Sequence, residues 1–350
     1  MTIPSTVEDL TPAWFSQVLD VPVSAVDVLD AHSGTTGRAR VRLCTSADLP
    51  ETLFVKLQPF TPEQRAFVRH VGMGVAEARL YSQIGNELPV RIPHVWHADH
   101  DSSDGSFVML LEDIAVPGCR FPSPSDYDIL DVAASTVEEL AKLHAAYQGQ
   151  KLPWLEIPSA MRTKADDPQK SSGGTQFIQL ALDQFADEMP SVFRELAELY
   201  IDSAGDIGAL LAAGDRTLIH GDAHFGNLFV DGKSTGFFDW AVASRGPGMR
   251  DTAYFLCNSV PPEMRRAEQA ALLSRYRSSL ESYGVALDSR TAEEQYRLFS
   301  VYSWIAATST AAMGSRWQPI EVGRAAMVRT TEAVDDLDAL GLLQERLGKT

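Results

Sequence analysis

Residues 218–240 read LIHGDAHFGNLFVDGKSTGFFDW, and this stretch decides how the chain is read. Leu228–Val230 and Gly236–Phe238 are short apolar runs joined by the turn residues Asp231-Gly232, so a β-hairpin is expected. Asn227 lies at the entry of its first strand and Asp239 at the exit of its second. A hairpin brings such ends together, so an amide oxygen and a carboxylate could share one cation. Hard oxygen donors suit Mg²⁺, which keeps several waters and takes further ligands from phosphates. Asp222, five residues before Asn227 on a tight loop, can face the same place. Phosphoryl transfer needs such a set: one carboxylate accepts the proton of an attacking hydroxyl, and an amide and a second carboxylate hold metal against phosphates.

A second reading starts from the same residues. His220, Asp222 and His224 alternate, so on a strand they would point to one face and could ligate zinc or iron in a hydrolase. Gly221 and Gly226 suit a loop instead, and no second histidine cluster follows at ligand spacing. That reading also leaves Asn227 and Asp239 without a role. Stoichiometric zinc or iron would favour it.

Upstream, the chain reads as a small sheet. Thr11-Pro12 is a helix start, with a capping hydroxyl and a proline at the first helical position. Trp14, Phe15, Val18 and Leu19 follow at helical spacing. Val21–Leu29, Ala39–Cys44 and Thr52–Leu57 are β-like, with the turn Ser33-Gly34-Thr35-Thr36-Gly37 between the first two. Helices are expected at Pro62–His70 and Val75–Ile84, then strands at His94–His97 and Phe107–Leu111. After residue 112 the texture becomes helical, beginning with a long amphipathic helix over Tyr127–Tyr147. Lys164–Gly174 is polar and glycine-rich and reads as a loop. Helical segments resume at Phe177–Met189 and Val192–Ala213 and, after the hairpin, from Asp251 onward. The expected fold is α+β: a lobe over residues 1–112 with a small sheet, and a larger, mainly helical lobe over 113–350.

His220-Gly221-Asp222, four residues, then Asn227 resembles the catalytic loop of the aminoglycoside phosphotransferase and choline kinase family. Phe238-Asp239-Trp240 resembles that family's metal-binding segment. The order and spacing match, and from average composition the four fixed residues would arise by chance in roughly one such chain in a thousand. The LTPAWFSQVL helix, LLEDI and DTAYFL are closest to the ecdysteroid-kinase-like branch and its bacterial relatives. That branch commonly carries tryptophan where this chain has His224. The resemblance implies a two-lobed protein-kinase-like fold and an enzyme that transfers the γ-phosphate of ATP, with Mg²⁺, to a hydroxyl of a small molecule. It implies Asp222 as base, Asn227 and Asp239 as metal ligands, and His220 and Asp251 as braces. Lys56, on Leu53–Leu57, resembles the phosphate-binding lysine. Alone, such a lysine is usually an edge or surface residue. Its glutamate partner is expected to be Glu77, with Glu63 as rival. Ser33, Gly34 and Thr35 would cover the phosphates, and Met109–Ile114, with Glu112 and Ile114, would meet adenine through its backbone.

Composition narrows the partners. The chain has 350 residues, 45% hydrophobic, with net charge −17. That acidity argues against a nucleic-acid surface and against attraction to anionic lipid, and mildly favours a cationic acceptor; the branch resemblance mildly favours a hydrophobic alcohol. No apolar run approaches ~20 residues, so no membrane insertion is expected. The opening MTIPSTVEDL lacks the charged-then-apolar pattern of a secretory leader. Cys44, Cys119 and Cys257 are scattered, which fits a reducing cytoplasm. A third reading keeps the fold without turnover: a nucleotide-binding scaffold, argued against by the presence of lysine, base and metal ligands. His144 is expected to be a packed, hydrogen-bonded core residue, and Trp304 to be core or pocket wall. Trp317 is expected to be core or pocket wall, and the acidic cluster Glu332–Asp338 a solvated helix face. The sequence does not set the oligomeric state.

Overall fold

The structure, a computed structural model, describes residues 2–34, 36–115, 118–155, 173–314 and 319–349. Thr35, Trp317 and residues 164–172 of the expected glycine-rich loop lie outside the described residues. The chain divides into two compact units. Met1–Arg120 and Gly236–Ser244 belong to the first. Phe121–Gln150, the stretch ending at Thr235, and Arg245–Thr350 belong to the second.

The first unit holds a five-stranded sheet in the order β1-β2-β3-β5-β4, antiparallel throughout. The strands are β1 (Val23–Ser33), β2 (Gly37–Thr45), β3 (Thr52–Leu57), β4 (Val95–Asp101) and β5 (Ser106–Glu112). Two-residue periodicity sends Leu53, Val55 and Leu57 of β3 to one face, where they join Val41, Val108 and Leu110. Helix α1 (Pro12–Leu19) covers this face with Trp14 and Phe15. Its start is the expected one: Thr11 Oγ1 accepts from Trp14 N at 3.2 Å, with Pro12 next. Phe54 and Lys56 of β3 project to the opposite face.

Helices α2 (Pro62–Val71) and α3 (Met73–Ile84) follow β3 and are separated by Gly72 at φ 79°. α3 lies tight against β5: a Cβ on Gly74 would fall 2.1 Å from Cε1 of Phe107. Gly74→Ala is therefore expected to destabilise the protein by about 1–3 kcal/mol, the usual cost of overpacking. Denaturant unfolding checks this, and an unchanged midpoint would contradict the close packing.

The second unit is mainly helical. It contains α4 (Ile129–Ala146), α5 (Gly173–Phe185), α6 (Ser191–Ala212), α7 (Met249–Asn258), α8 (Pro262–Ser282), α9 (Ser289–Ala312), α10 (Ile320–Asp336) and α11 (Ala339–Leu347). α5 begins at Gly173, four residues before the expected start, so Gly173 and Gly174 are helical rather than loop. Ile178, Phe193, Leu196, Val301, Trp304, Met327 and Leu343 form its apolar core. Trp304 is packed as expected, with Nε1 donating to Thr331 Oγ1 at 3.1 Å. The acidic cluster at the end of α10 is more than a solvated face. Asp336 pairs with the buried Arg265 and with Arg266, Glu332 pairs with Arg266, and Asp338 with Arg297.

Short strands complete the chain: β6 (Cys119–Arg120), β7 (Thr217–Ile219), β8 (Leu228–Asp231), β9 (Ser234–Phe237) and β10 (Ser244–Gly246). The turn from β8 to β9 passes through Gly232 at φ 62°, as the Asp231-Gly232 pair predicts.

Cys44 is exposed and Cys257 is buried. Burial, only partly opposed by Arg265, pushes the Cys257 thiol up to about 11. Iodoacetamide at pH 8 is expected to label Cys44 in the folded protein and Cys257 only after unfolding, because the thiolate is the reactive form. Peptide mass spectrometry reads this directly, and equal labelling of the two would contradict the buried placement.

Candidate active site

In the first unit, Lys56, Glu77 and Asp239 meet. Lys56 Nζ lies 2.5 Å from Glu77 Oε2 and 3.0 Å from Asp239 Oδ1. β3 presents the lysine and α3 the glutamate, while Asp239 follows β9 at φ 63°. A positive φ is uncommon outside glycine, and such strained positions cluster at functional sites. The Lys56 and Glu77 side chains are only 7% and 1% exposed, whereas Asp239 is 29% exposed. Burial opposes the Lys56 charge, yet the two carboxylates outweigh it and raise its pKa, so the ammonium persists. Burial likewise pushes the Glu77 carboxyl up, and Lys56 only partly offsets it. One ammonium is shared by two acidic groups, of which Asp239 is the more open. The rival Glu63 sits exposed on α2.

In the second unit, the loop after β7 is fixed through its backbone. His220 N and Gly221 N donate to the two oxygens of Asp251, at 2.6 Å to Oδ2 and 2.9 Å to Oδ1. Gly221 stands at φ 86°, a conformation that favours glycine. Asp251, in the first turn of α7, is fully buried. Burial opposes its charge, but the hydrogen bond and charge of His144, with His220 and the Gly221 N–H, hold its carboxyl below the usual range. His144 is a hydrogen-bonded core residue, as expected: Nε2 is 3.3 Å from Asp251 Oδ2 and Nδ1 is 2.9 Å from Tyr276 Oη.

The same loop sets the rotamer of Asp222. Asn227 Nδ2 donates to Asp222 O at 2.9 Å and to Asp222 Oδ2 at 3.0 Å. With its NH₂ so engaged, the Asn227 amide oxygen is the atom left to face a cation. Tyr254 of α7 donates to Asp222 Oδ1 at 2.7 Å. Sequence reading missed this contact. Its signal was the spacing of Asp251 and Tyr254, three apart in DTAYFL and so on one side of a helix.

The alternation of His220, Asp222 and His224 does not correspond to a strand. These residues lie in a loop turned at Gly221, so the one-face arrangement expected of a metal hydrolase is not formed. His220 is fully buried, and its Nδ1 accepts from Asp222 N at 3.2 Å. His224 Nδ1 accepts from Gly226 N at 2.9 Å, and its Nε2 stands 3.5 Å from Asp222 Oδ2. Among the described residues no group of three histidine, cysteine or acidic side chains could hold a metal.

Other expected site residues have defined places. Ser33 ends β1 rather than sitting in the turn; its Oγ accepts from Phe60 N and donates to Gln64 Oε1, both at 3.0 Å. Gly34 N bonds Thr36 O at 3.0 Å. Glu112 ends β5, and its carboxylate grips Arg91 and His94 N. Its own N–H donates to His94 O at 2.8 Å. Ile114 lies in the turn that follows.

A family model described as "Phosphotransferase enzyme family" matches residues 38–288. No curated protein sequence matches the chain significantly. Among solved structures, the chain is similar to a choline kinase from Cryptosporidium parvum: 13% identity, 92% of each chain covered, TM-score 0.56. An aminoglycoside 2′-phosphotransferase-IIIa in complex with GDP is similar at 13% identity, with 93% of this chain and 99% of that one covered and a TM-score of 0.54. An ethanolamine kinase from Plasmodium vivax is similar at 11% identity, with 90% and 83% covered and a TM-score of 0.51. At these identities the likeness shows the fold.

Proposed function

The chain belongs to the phosphotransferase enzyme family, and from that premise we propose that it is a cytoplasmic, ATP- and Mg²⁺-dependent kinase acting on a hydroxyl of a small molecule. The observation that carries this reading is the Lys56 ammonium held between the buried Glu77 and the more open Asp239. A buried lysine fixed by a carboxylate is suited to meet nucleotide phosphates as a point charge.

In this reading Asp222 orients the acceptor hydroxyl and takes its proton. The acceptor oxygen bonds to the γ-phosphorus, the bond from that phosphorus to the β,γ-bridging oxygen breaks, and ADP leaves. Asn227 and Asp239 would hold Mg²⁺; their donors are an amide oxygen and a carboxylate, both hard, which fits that ion. When bound, Mg²⁺ supplies neutralisation of phosphate charge. Lys56 contacts the phosphates, Ser33, Gly34 and Thr35 cover them, and the backbone around Glu112 and Ile114 meets the base. His220 and Asp251 brace the loop. Catalysis is then positioning and charge neutralisation rather than covalent chemistry by the protein.

The acceptor class to test first is an amine-bearing alcohol. The acidity of the chain supports it, and the similar structures named above include a choline kinase, an ethanolamine kinase and an aminoglycoside phosphotransferase. No helix among the described residues is long and apolar enough to cross a membrane. The test is Mg²⁺-dependent ADP release against aminoglycosides, amino alcohols, sugars and sterol alcohols. A hit that needs Mg²⁺ supports the reading and names the acceptor. Nucleotide binding with silence across the panel would favour the scaffold, and silence without binding would overturn the reading.

A further inference from the structure

The Asp222 carboxylate is held at both oxygens. Asn227 Nδ2 reaches Oδ2 from within the loop, and the Tyr254 phenol reaches Oδ1 from α7. Resting on the kinase reading above, we infer that Tyr254 is a positioning residue for phosphoryl transfer, whose hydrogen bond fixes the rotamer of Asp222 toward the acceptor hydroxyl.

Three observations support this. First, Tyr254 is 7% exposed, so its hydroxyl has little access to water and its bond to Asp222 is not readily exchanged for one to solvent. Burial, then the Asp222 charge, raises the phenol well above its usual range, so the proton stays on Tyr254 and Asp222 is the acceptor. Second, the ring is clamped. Tyr302 of α9 lies 6.0 Å from it, centroid to centroid, and Arg250, one turn earlier on α7, stands 3.9 Å over the Tyr302 ring and donates to Tyr302 Oη at 2.5 Å. A phenol held by two helices gives the carboxylate a fixed partner. Third, α7 supplies both restraints. Asp251 holds the loop backbone at His220 and Gly221, and Tyr254, three residues later, holds the Asp222 side chain. One rigid element therefore sets both the path of the loop and the direction of its base.

Asp222 is also 37% exposed at its side chain, and among the described residues Tyr254 is the buried partner that holds Oδ1 against solvent. A carboxylate free to turn spends part of its time off the productive geometry, and that loss falls on turnover rather than on nucleotide binding.

The test is Tyr254→Phe, which keeps the ring and removes only the donor. Steady-state rates are read as Mg²⁺-dependent ADP release, with the acceptor found by the panel or, failing one, with water. Loss of a hydrogen bond to a charged group corresponds to a fall in kcat of about ten- to a hundredfold. KM for ATP and Mg·ATP affinity are expected to stay unchanged, and the thermal midpoint to fall by no more than a few degrees. In an Asp222→Asn background the same change is expected to cost nothing further, because the two residues act as a unit. Wild-type kcat in Tyr254→Phe, or an equal loss in the Asp222→Asn background, would overturn the inference and leave the kinase reading standing. Absence of both nucleotide binding and turnover in the wild-type protein would overturn the kinase reading itself, and this inference with it.

Discussion

Asp222→Asn is expected to lower kcat by ~10²–10⁴-fold, the usual contribution of a positioned general base, while Mg·ATP binding persists. Asparagine preserves the size of the side chain, and although its one amide oxygen can serve only one of Tyr254 and Asn227, the loop backbone stays held by Asp251. What it loses is basicity. Lys56, Glu77 and Asp239 form their own cluster in the first unit, so the residues proposed to meet the phosphates are untouched. Turnover measured beside calorimetric nucleotide binding separates the two effects. Near-normal turnover in this variant would remove Asp222 from the role of base.

Asp251→Asn is expected to act on the fold itself. Its carboxylate accepts from His220 N and Gly221 N while fully buried, and His144 supports its charge. An amide has one acceptor oxygen for two donors, and its NH₂ would face one of those N–H groups. Breaking a buried charged network in this way typically costs about 3–5 kcal/mol. The pH dependence has a definite sign. The Asp251 carboxyl is held below its ordinary value, so its stabilisation is fully present above the unfolded carboxylate pKa of ~3.9. It is lost as pH falls through the lower folded value. Urea unfolding of both proteins is therefore expected to show the largest gap near neutrality and a narrowing gap below about pH 4. A gap that widened on acidification would contradict the assignment of the charge to Asp251.

Much of this was legible in the sequence because it rests on local rules. Thr11-Pro12 fixes a helix start, Asp231-Gly232 fixes a turn, and the alternation of β3 separates Leu53, Val55 and Leu57 from Lys56. The spacing from His220 to Asn227 identified a loop that the structure builds around Gly221. Other features depend on tertiary placement. The choice of Glu77 over Glu63 is made by α3, which buries Glu77 against Lys56 and leaves Glu63 on an exposed turn of α2. The bond of Tyr254 to Asp222 joins residues 32 apart and needs the course of α7 to be known. The arginines that meet Glu332, Asp336 and Asp338 come from α8 and α9, so α10 alone reads as merely solvated. Ser33 reads as part of the turn Ser33-Gly34-Thr35-Thr36-Gly37, but pairing of β1 with β2 continues through Ser33 and Gly37.

The most direct test of the central claim does not depend on the acceptor. It is calorimetric titration of ATP into the wild-type protein, with and without Mg²⁺, beside Lys56→Ala. The account predicts binding that requires Mg²⁺ and weakens at least about tenfold in the variant, the scale of one charge-assisted contact. Absence of ATP binding in the wild-type protein at any Mg²⁺ concentration, or binding indifferent to both Mg²⁺ and Lys56, would contradict it.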